Sequence, residues 1–184
     1  MQKLGKLENV GLREAWNHEA LDFTNWLAEE DNLSLLSEEL GIDNIHILQT
    51  EANAGDFKID ILAEDDKENK IVIENQLEKT NHDHLGKILT YASSQDAKYI
   101  IWIAKEIRDE HKQAIDWLNE HTDGDINFFA VQIELWKIGE SLPAPKFNII
   151  SKPNDWTNAV KKSIQENTLT DTKMMQFEFC FVLH

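Results

Sequence analysis

"FKIDILAEDDKENKIVIENQ", residues 57–76, is the stretch on which the fold turns. Two apolar runs, Phe57-Ile59-Ile61-Leu62 and Ile71-Val72-Ile73, flank a polar segment, DDKENK. Such runs on either side of a polar turn predict an antiparallel hairpin. An acid interrupts each run, Asp60 in the first and Glu74 in the second, and Gln76 follows two residues on. With the turn centred near residue 67, Asp60 and Glu74 are equidistant from it and face each other, with Cβ atoms roughly 5 Å apart. Gln76 shares the face of Glu74, because strand side chains alternate with period two.

Like charges directly opposite destabilise a sheet, and burying them costs more. Two readings accommodate them. In the first, both acids point to solvent on a half-exposed hairpin, a pattern that the mixed face Lys58, Asp60, Leu62 permits. In the second, a divalent cation offsets the repulsion: Mg²⁺ takes one or two carboxylates together with waters and phosphate oxygens. It would then lower the pKa of a bound water and clamp a scissile phosphate.

Outward from the hairpin, residues 14–29 predict one helix, with Ala20, Phe23, Trp26 and Leu27 on one face. A short helix over 32–40 ends at Gly41, placed as a C-cap glycine. A strand is expected at 45–52. Beyond the hairpin, 82–94 predicts a helix with Leu85, Ile88, Leu89 and Ala92 inward. "YIIWIA", 99–104, has the unbroken apolar run of a strand buried on both faces. Residues 107–121 predict a further helix, and 126–138 one long strand or two shorter ones. "LPAP", 142–145, reads as a loop, followed by a strand near 147–151 and a helix near 156–166. The order α–β–β–β–α–β–α–β predicts an α/β fold, a mixed central sheet flanked by helices. One domain is expected over 1–166. Residues 167–184 read as a linker and an apolar tail, "MMQFEFCFVLH", the start of a truncated second domain.

With 18 basic and 34 acidic residues, the formal net charge is −16. That argues against coating nucleic acid through clustered cations, and leaves room for a small basic site or one whose positive charge is a metal. The lone cysteine, Cys180, excludes an internal disulfide and fits a reducing compartment. No apolar stretch approaches ~18 residues and the N-terminus lacks a signal-peptide pattern, so the cytoplasm is expected, without membrane association. "NHDHLG" brings His82 and His84 only two apart, so they diverge on a helix and do not form a zinc pair; Asn81 or Asp83 reads instead as a cap. Trp26, Trp102 and Trp117 read as packing residues. No serine or cysteine has the surroundings of a nucleophile.

The pattern D-x(13)-E-x-Q, with a helix, a β-meander, a helix and a strand around it, resembles the PD-(D/E)XK nuclease superfamily. "FKIDILAEDDKENKIVIENQ" followed by "DHLGKILTYA" is similar to its RecB-like and NucS-like branches. Residues from about 10 to 156 resemble bacterial proteins in which a second domain of unknown function usually follows. The resemblance implies a restriction-endonuclease-like αβββαβ core and metal-dependent hydrolysis of DNA phosphodiesters with Mg²⁺ or Mn²⁺. It carries the metal-binding acids onto Asp60 and Glu74. Gln76, expected to position water or phosphate as part of the catalytic set, falls where most members have lysine, and a neutral amide supplies neither a charge nor a titratable proton. On the following helix, His84, Lys87 and Tyr91 form a polar stripe, and Lys87 and Tyr91 have the spacing of the Q-x-x-x-Y pattern of RecB-like relatives. Lys87 is therefore expected to stand in for the missing lysine, against the alternative of a solvated flank residue. Glu51 before the hairpin and Glu19 or Asp22 on the first helix are supporting candidates. The departure at Gln76 keeps an alternative open: a weak or inactive module of the same fold that binds nucleic acid or protein. The apolar tail points to a homodimer or a further C-terminal domain as its partner.

Overall fold

The structure, a computed structural model, describes residues 4–54, 57–122, 125–154 and 156. The chain divides into a unit Met1–Pro153 and a second unit Asn154–His184; every element below belongs to the first. The helix expected over 156–166, Trp156 apart, and the segment 167–184 lie outside the described residues.

In chain order the elements are β1 (Leu7–Val10), α1 (Leu12–Ala15), a π-helical turn (Glu19–Phe23), α2 (Thr24–Leu27) and α3 (Glu30–Leu40). The hairpin region follows as β2 (His46–Ala54), β3 (Phe57–Glu64) and β4 (Lys70–Lys79). Then come α4 (His82–Gln95), β5 (Tyr99–Glu106), α5 (Asp109–His121), β6 (Asn127–Ile138) and β7 (Ala144–Ser151). The sheet runs β1-β6-β5-β4-β3-β2, with β7 also paired to β6. β2, β3 and β4 form an antiparallel meander, while β4, β5 and β6 are parallel and joined through α4 and α5. This is the mixed α/β sheet with flanking helices that the pattern predicts, and its αβββαβ order is that of the restriction-endonuclease-like core.

The parallel strands sit at the centre because their apolar runs can be covered on both faces. On one face Val72, Ile100, Trp102, Phe128 and Ala130 pack with Ile88 and Tyr91 of α4 and Ile115 of α5. Asn75, on the other face of β4, donates from Nδ2 to Thr24 Oγ1 of α2 at 3.1 Å, so the N-terminal helices cover that side. There Phe23, Leu27, Leu36 and Leu40 are fully buried or nearly so. Trp16 packs on Phe23 and on Trp26, each with ring centroids 4.7 Å apart.

Several boundaries differ from expectation. The single helix expected over 14–29 is broken at Trp16–His18, where the backbone turns extended. Asp22 Oδ2 accepts the His18 N–H at 2.8 Å, and the chain restarts as the π-helical turn. β1 carries no alternating pattern and was not foreseen; it is an edge strand with one buried residue, Val10. β7 begins at Ala144, inside "LPAP", and Pro145 lies opposite Leu135. Proline is tolerated there because β7 is an edge strand. Trp117 is 58% exposed and stacks on His121 rather than packing inward. Gly41 is the expected left-handed C-cap, at φ 66°. Among the described residues no helix is long and apolar enough to cross a membrane.

Candidate active site

The hairpin register is the expected one. Ile61 pairs with Ile73, Leu62 with Val72, Ala63 with Ile71 and Glu64 with Lys70. The ladder ends at Ile61 and Ile73, so Asp60 and Glu74 stand one step past its last rung. Beyond that point β3 keeps pairing with β2, and β4 with β5. The two strands part at the acids.

Carboxylates occupy the gap. The Asn75 N–H, which a continuing strand would have met with a carbonyl, donates to Asp60 Oδ2 at 2.7 Å. The Leu77 N–H donates to Glu19 Oε2 at 2.6 Å. Glu19 reaches β4 because the chain restarts at His18, on the extended backbone that opens the π-helical turn. Glu51 lies between the pairs Thr50–Ile61 and Ala52–Ile59, opposite Asp60 in register. Its φ of 51° is left-handed, an arrangement that costs a non-glycine residue of order 1 kcal/mol or more and gathers at functional sites. Lys58 Nζ lies 3.7 Å from the Glu51 carboxylate.

Glu74 is fully buried. Its Oε1 accepts from Lys87 Nζ at 3.2 Å, with His84 Nε2 at 3.9 Å. Its Oε2 is buried with no hydrogen-bond partner. Burial, then the charge of Asp60, pushes the Glu74 carboxyl up to about 8, against the pull of Lys87 and of the Asp60 main-chain N–H. Burial likewise raises Asp60 to about 6; the Asn75 N–H lowers it, Glu19 and Glu51 raise it, and Lys87 lowers it. Tyr91 is buried, and its hydroxyl has no partner. Burial, then the charges of Glu74, Asp60 and Glu51, lifts it to about 12. Burial and the nearby Lys87 hold His84 below the usual histidine range.

Asp60, Glu74, Lys87, Tyr91, Glu19 and Glu51 thus share one electrostatic neighbourhood, drawn from the π-helical turn, three strands and α4. Asp22 does not join it, because its carboxylate is spent on the His18 N–H. Gln76 is buried on the Glu74 strand, with Nε2 turned to the Lys79 carbonyl at 2.9 Å. Asn81 is the N-cap of α4, accepting the His84 N–H at 3.0 Å. His82 and His84 diverge as expected. His82 Nδ1 meets Nε2 of the buried His111 at 3.1 Å, and His111 Nδ1 meets Thr80 Oγ1 at 2.7 Å. That joint between α4, α5 and the link from β4 to α4 has no sequence signal, since its three residues lie up to 31 positions apart.

No family model matches the chain. No curated protein matches it either. Among solved structures, that of an EndoMS–double-stranded DNA complex is similar over 57% of this chain and 44% of that one, with a TM-score of 0.41 and 17% identity. The matched part is less than half of that chain, and so distant a likeness bears on neither substrate nor partner.

The residues present fit a divalent cation in their donor set. Two carboxylates repel each other in a largely desolvated site, and one buried carboxylate oxygen lacks any partner. Among the described residues no three His, Cys, Asp or Glu side chains form a ready-made cage.

Proposed function

We propose that this chain is a metal-dependent nuclease that hydrolyses phosphodiester bonds of DNA, with Asp60 and Glu74 holding Mg²⁺ or Mn²⁺. The observation that carries the reading is Glu74. A fully buried carboxylate beside a second carboxylate, with its proton affinity raised by both, is a standing cost. Such a cost persists where the charged pair has work to do. When bound, the cation lowers the pKa of a coordinated water and polarises the phosphate.

The chain's own residues supply the rest. Lys87, at hydrogen-bond distance from Glu74, is the cation placed to offset charge developing on the phosphate. In this reading it does the work of the lysine that the strand lacks at Gln76. Asp60 is oriented by the Asn75 N–H, and Glu19, fixed by the Leu77 N–H, closes the same edge. Water gives up a proton to solvent as its oxygen bonds to phosphorus, a P–O ester bond breaks, and the departing oxygen takes up a proton from solvent.

A second reading, a binding module that has lost catalysis, is favoured by Gln76 and by the surface charge. Arg13, Lys58, Lys70, Lys79, Lys98 and Lys112 each pair with an acid of the same chain. One experiment separates the two. Single-stranded, nicked, branched and duplex DNA are incubated with Mg²⁺ or Mn²⁺, using wild type and Asp60→Ala, with Mn²⁺ binding followed by calorimetry. Metal-dependent cleavage lost in a folded Asp60→Ala protein supports the nuclease. Cleavage unchanged by that substitution, or no cleavage and no Mn²⁺ uptake by wild type, refutes it.

A further inference from the structure

The start of β2 borders a cleft that the nuclease reading does not use. α3 ends at Leu40, and the chain turns at Gly41 and returns beside the helix into β2. The cleft between them has a volume of about 440 Å³, the size of a ligand-binding cleft. Ala28, Leu33, Ile45 and Ile47 give it apolar walls, and Glu30 and His46 are among its polar ones. His46 pairs with Glu64, four residues along β3 from Asp60, so this end of β2 stands roughly 13 Å along the sheet from the acids. Among the described residues β2 pairs with β3 alone, and its outward N–H and C=O groups have no ladder partner. An open edge beside a helix is where an extended peptide adds as a further strand: main-chain bonds give affinity, and alternate side chains fill the cleft.

Charge and shape decide what fits. Among the described residues no lysine or arginine lines the cleft. Glu30 opens α3 between two further exposed acids, Glu29 and Asp31. Asn44 and His46 each bond to Asp66 at 2.8 Å, which adds a carboxylate to the rim. A second copy of a chain with net charge −16 is repelled from such a rim, and a basic segment is drawn to it. β2 is also bulged at Leu48, between the pairs Ile47–Ala63 and Gln49–Leu62, and Glu51 has a φ of 51°. Those irregularities break the flat edge that a continuous sheet between two copies would need. They leave a short regular run beside the cleft, enough for a peptide.

We propose that the cleft between α3 and the start of β2 binds an extended segment of another protein in which apolar and basic residues alternate. Its main chain pairs with the β2 edge at His46–Ile47. An apolar side chain enters between Leu33, Ile45 and Ile47, and a lysine or arginine meets Glu30. The inference is independent of the nuclease reading, because no residue of the cleft belongs to the metal site.

Three capped, fluorescein-labelled octapeptides serve as probes in fluorescence anisotropy: alternating Lys-Val, Lys-Ser of the same charge, and Glu-Val. Lys-Ser measures attraction to the acidic chain at large. Lys-Val should bind with a dissociation constant on the order of 10–100 µM, and the other two about tenfold more weakly or worse. Bound Lys-Val should slow amide hydrogen exchange at residues 45–48. Ser34 is exposed on α3 and lines the cleft, so Ser34→Trp fills it from the helix side. That variant should keep the wild-type melting temperature and bind Lys-Val about tenfold more weakly or worse. Lys-Ser binding equal to Lys-Val, no Lys-Val binding below about 1 mM, protection confined to other segments, or undiminished binding by Ser34→Trp overturns the proposal. So does a wild-type dimer in sedimentation that Ser34→Trp dissociates, since the occupant is then a second copy. Should Ser34→Trp fail to fold, Glu30→Lys decides: Lys-Val binding weaker by about tenfold supports the cleft, and unchanged binding refutes it.

Discussion

Replacing Glu74 by glutamine should make the metal-free protein more stable at alkaline pH and flatten its response to pH. Burial and Asp60 raise the Glu74 carboxyl from 4.5 to about 8. The folded state therefore binds a proton that the unfolded chain has already released, and stability falls as pH rises through this range. Asp60, raised from 3.8 to about 6, adds to the fall at lower pH. His84 and His111, both held low by burial, act in the opposite sense below about pH 6.5. Asp66, Asp116 and Glu134 are held below the ordinary carboxylate values, so their effect is complete at still lower pH. The window from pH 6.5 to 8 is thus dominated by Glu74. At about 1.4 kcal/mol per pH unit, the loss there is about 2 kcal/mol. For a chain of this length that is a fall of roughly 4–8 °C in melting temperature. The assay is thermal unfolding in a chelator at pH 6.5, 7.25 and 8, with wild type beside Glu74→Gln. Wild type should lose stability across the window, and the variant should lose little and exceed wild type at pH 8. Saturating Mn²⁺ at one hundred times its dissociation constant should return about 2.7 kcal/mol to wild type and nothing comparable to the variant. A wild-type melting temperature that is level or rises from pH 6.5 to 8 would show that no buried acid is strained here, and the metal site would lose its physical basis.

Two further outcomes follow from neighbouring residues. Lys87→Met should reduce cleavage by roughly 10²–10³-fold, the scale for losing one well-placed charge-stabilising donor; it should also steepen the alkaline loss of stability, since Lys87 lowers both acids. Both effects are read from single-turnover cleavage and from the same melts. Gly86→Ala should stabilise the protein by up to about 1 kcal/mol by raising helix propensity, because a Cβ there meets nothing within 4 Å; a lower melting temperature would show that the α4 surface at Gly86 is covered.

Much of the fold could be read because two periodicities were clean. The hairpin announced itself through β-branched runs around a polar turn, and its register followed from symmetry about residue 67. α4 and β5 were plain from a helical stripe and an unbroken apolar run. What escaped reading depends on side-chain contacts, local and distant, that only the folded chain makes. The break at Trp16–His18 is stabilised by the Asp22 side chain returning to the His18 N–H, a local competition that apolar spacing does not register. β1 is too short and too exposed to carry a pattern. At the site, Asp60, Glu74 and Lys87 could be nominated from spacing and resemblance. Glu19 could not be preferred to Asp22, because the choice depends on where a π-helical turn directs each side chain. The positive φ of Glu51 and the orientation of the Gln76 amide are likewise properties of the assembled sheet.

The parting of β3 from β4 has a mechanical consequence. Where a ladder is closed by main-chain carbonyls, its edge is permanent, since a carbonyl cannot turn without moving the chain. Here the edge of β4 is closed at Asn75 and Leu77 by the tips of Asp60 and Glu19, groups with a second oxygen and a rotatable bond. One oxygen of each can keep its amide while the other is offered to a ligand, so the sheet can present an acceptor there without unzipping.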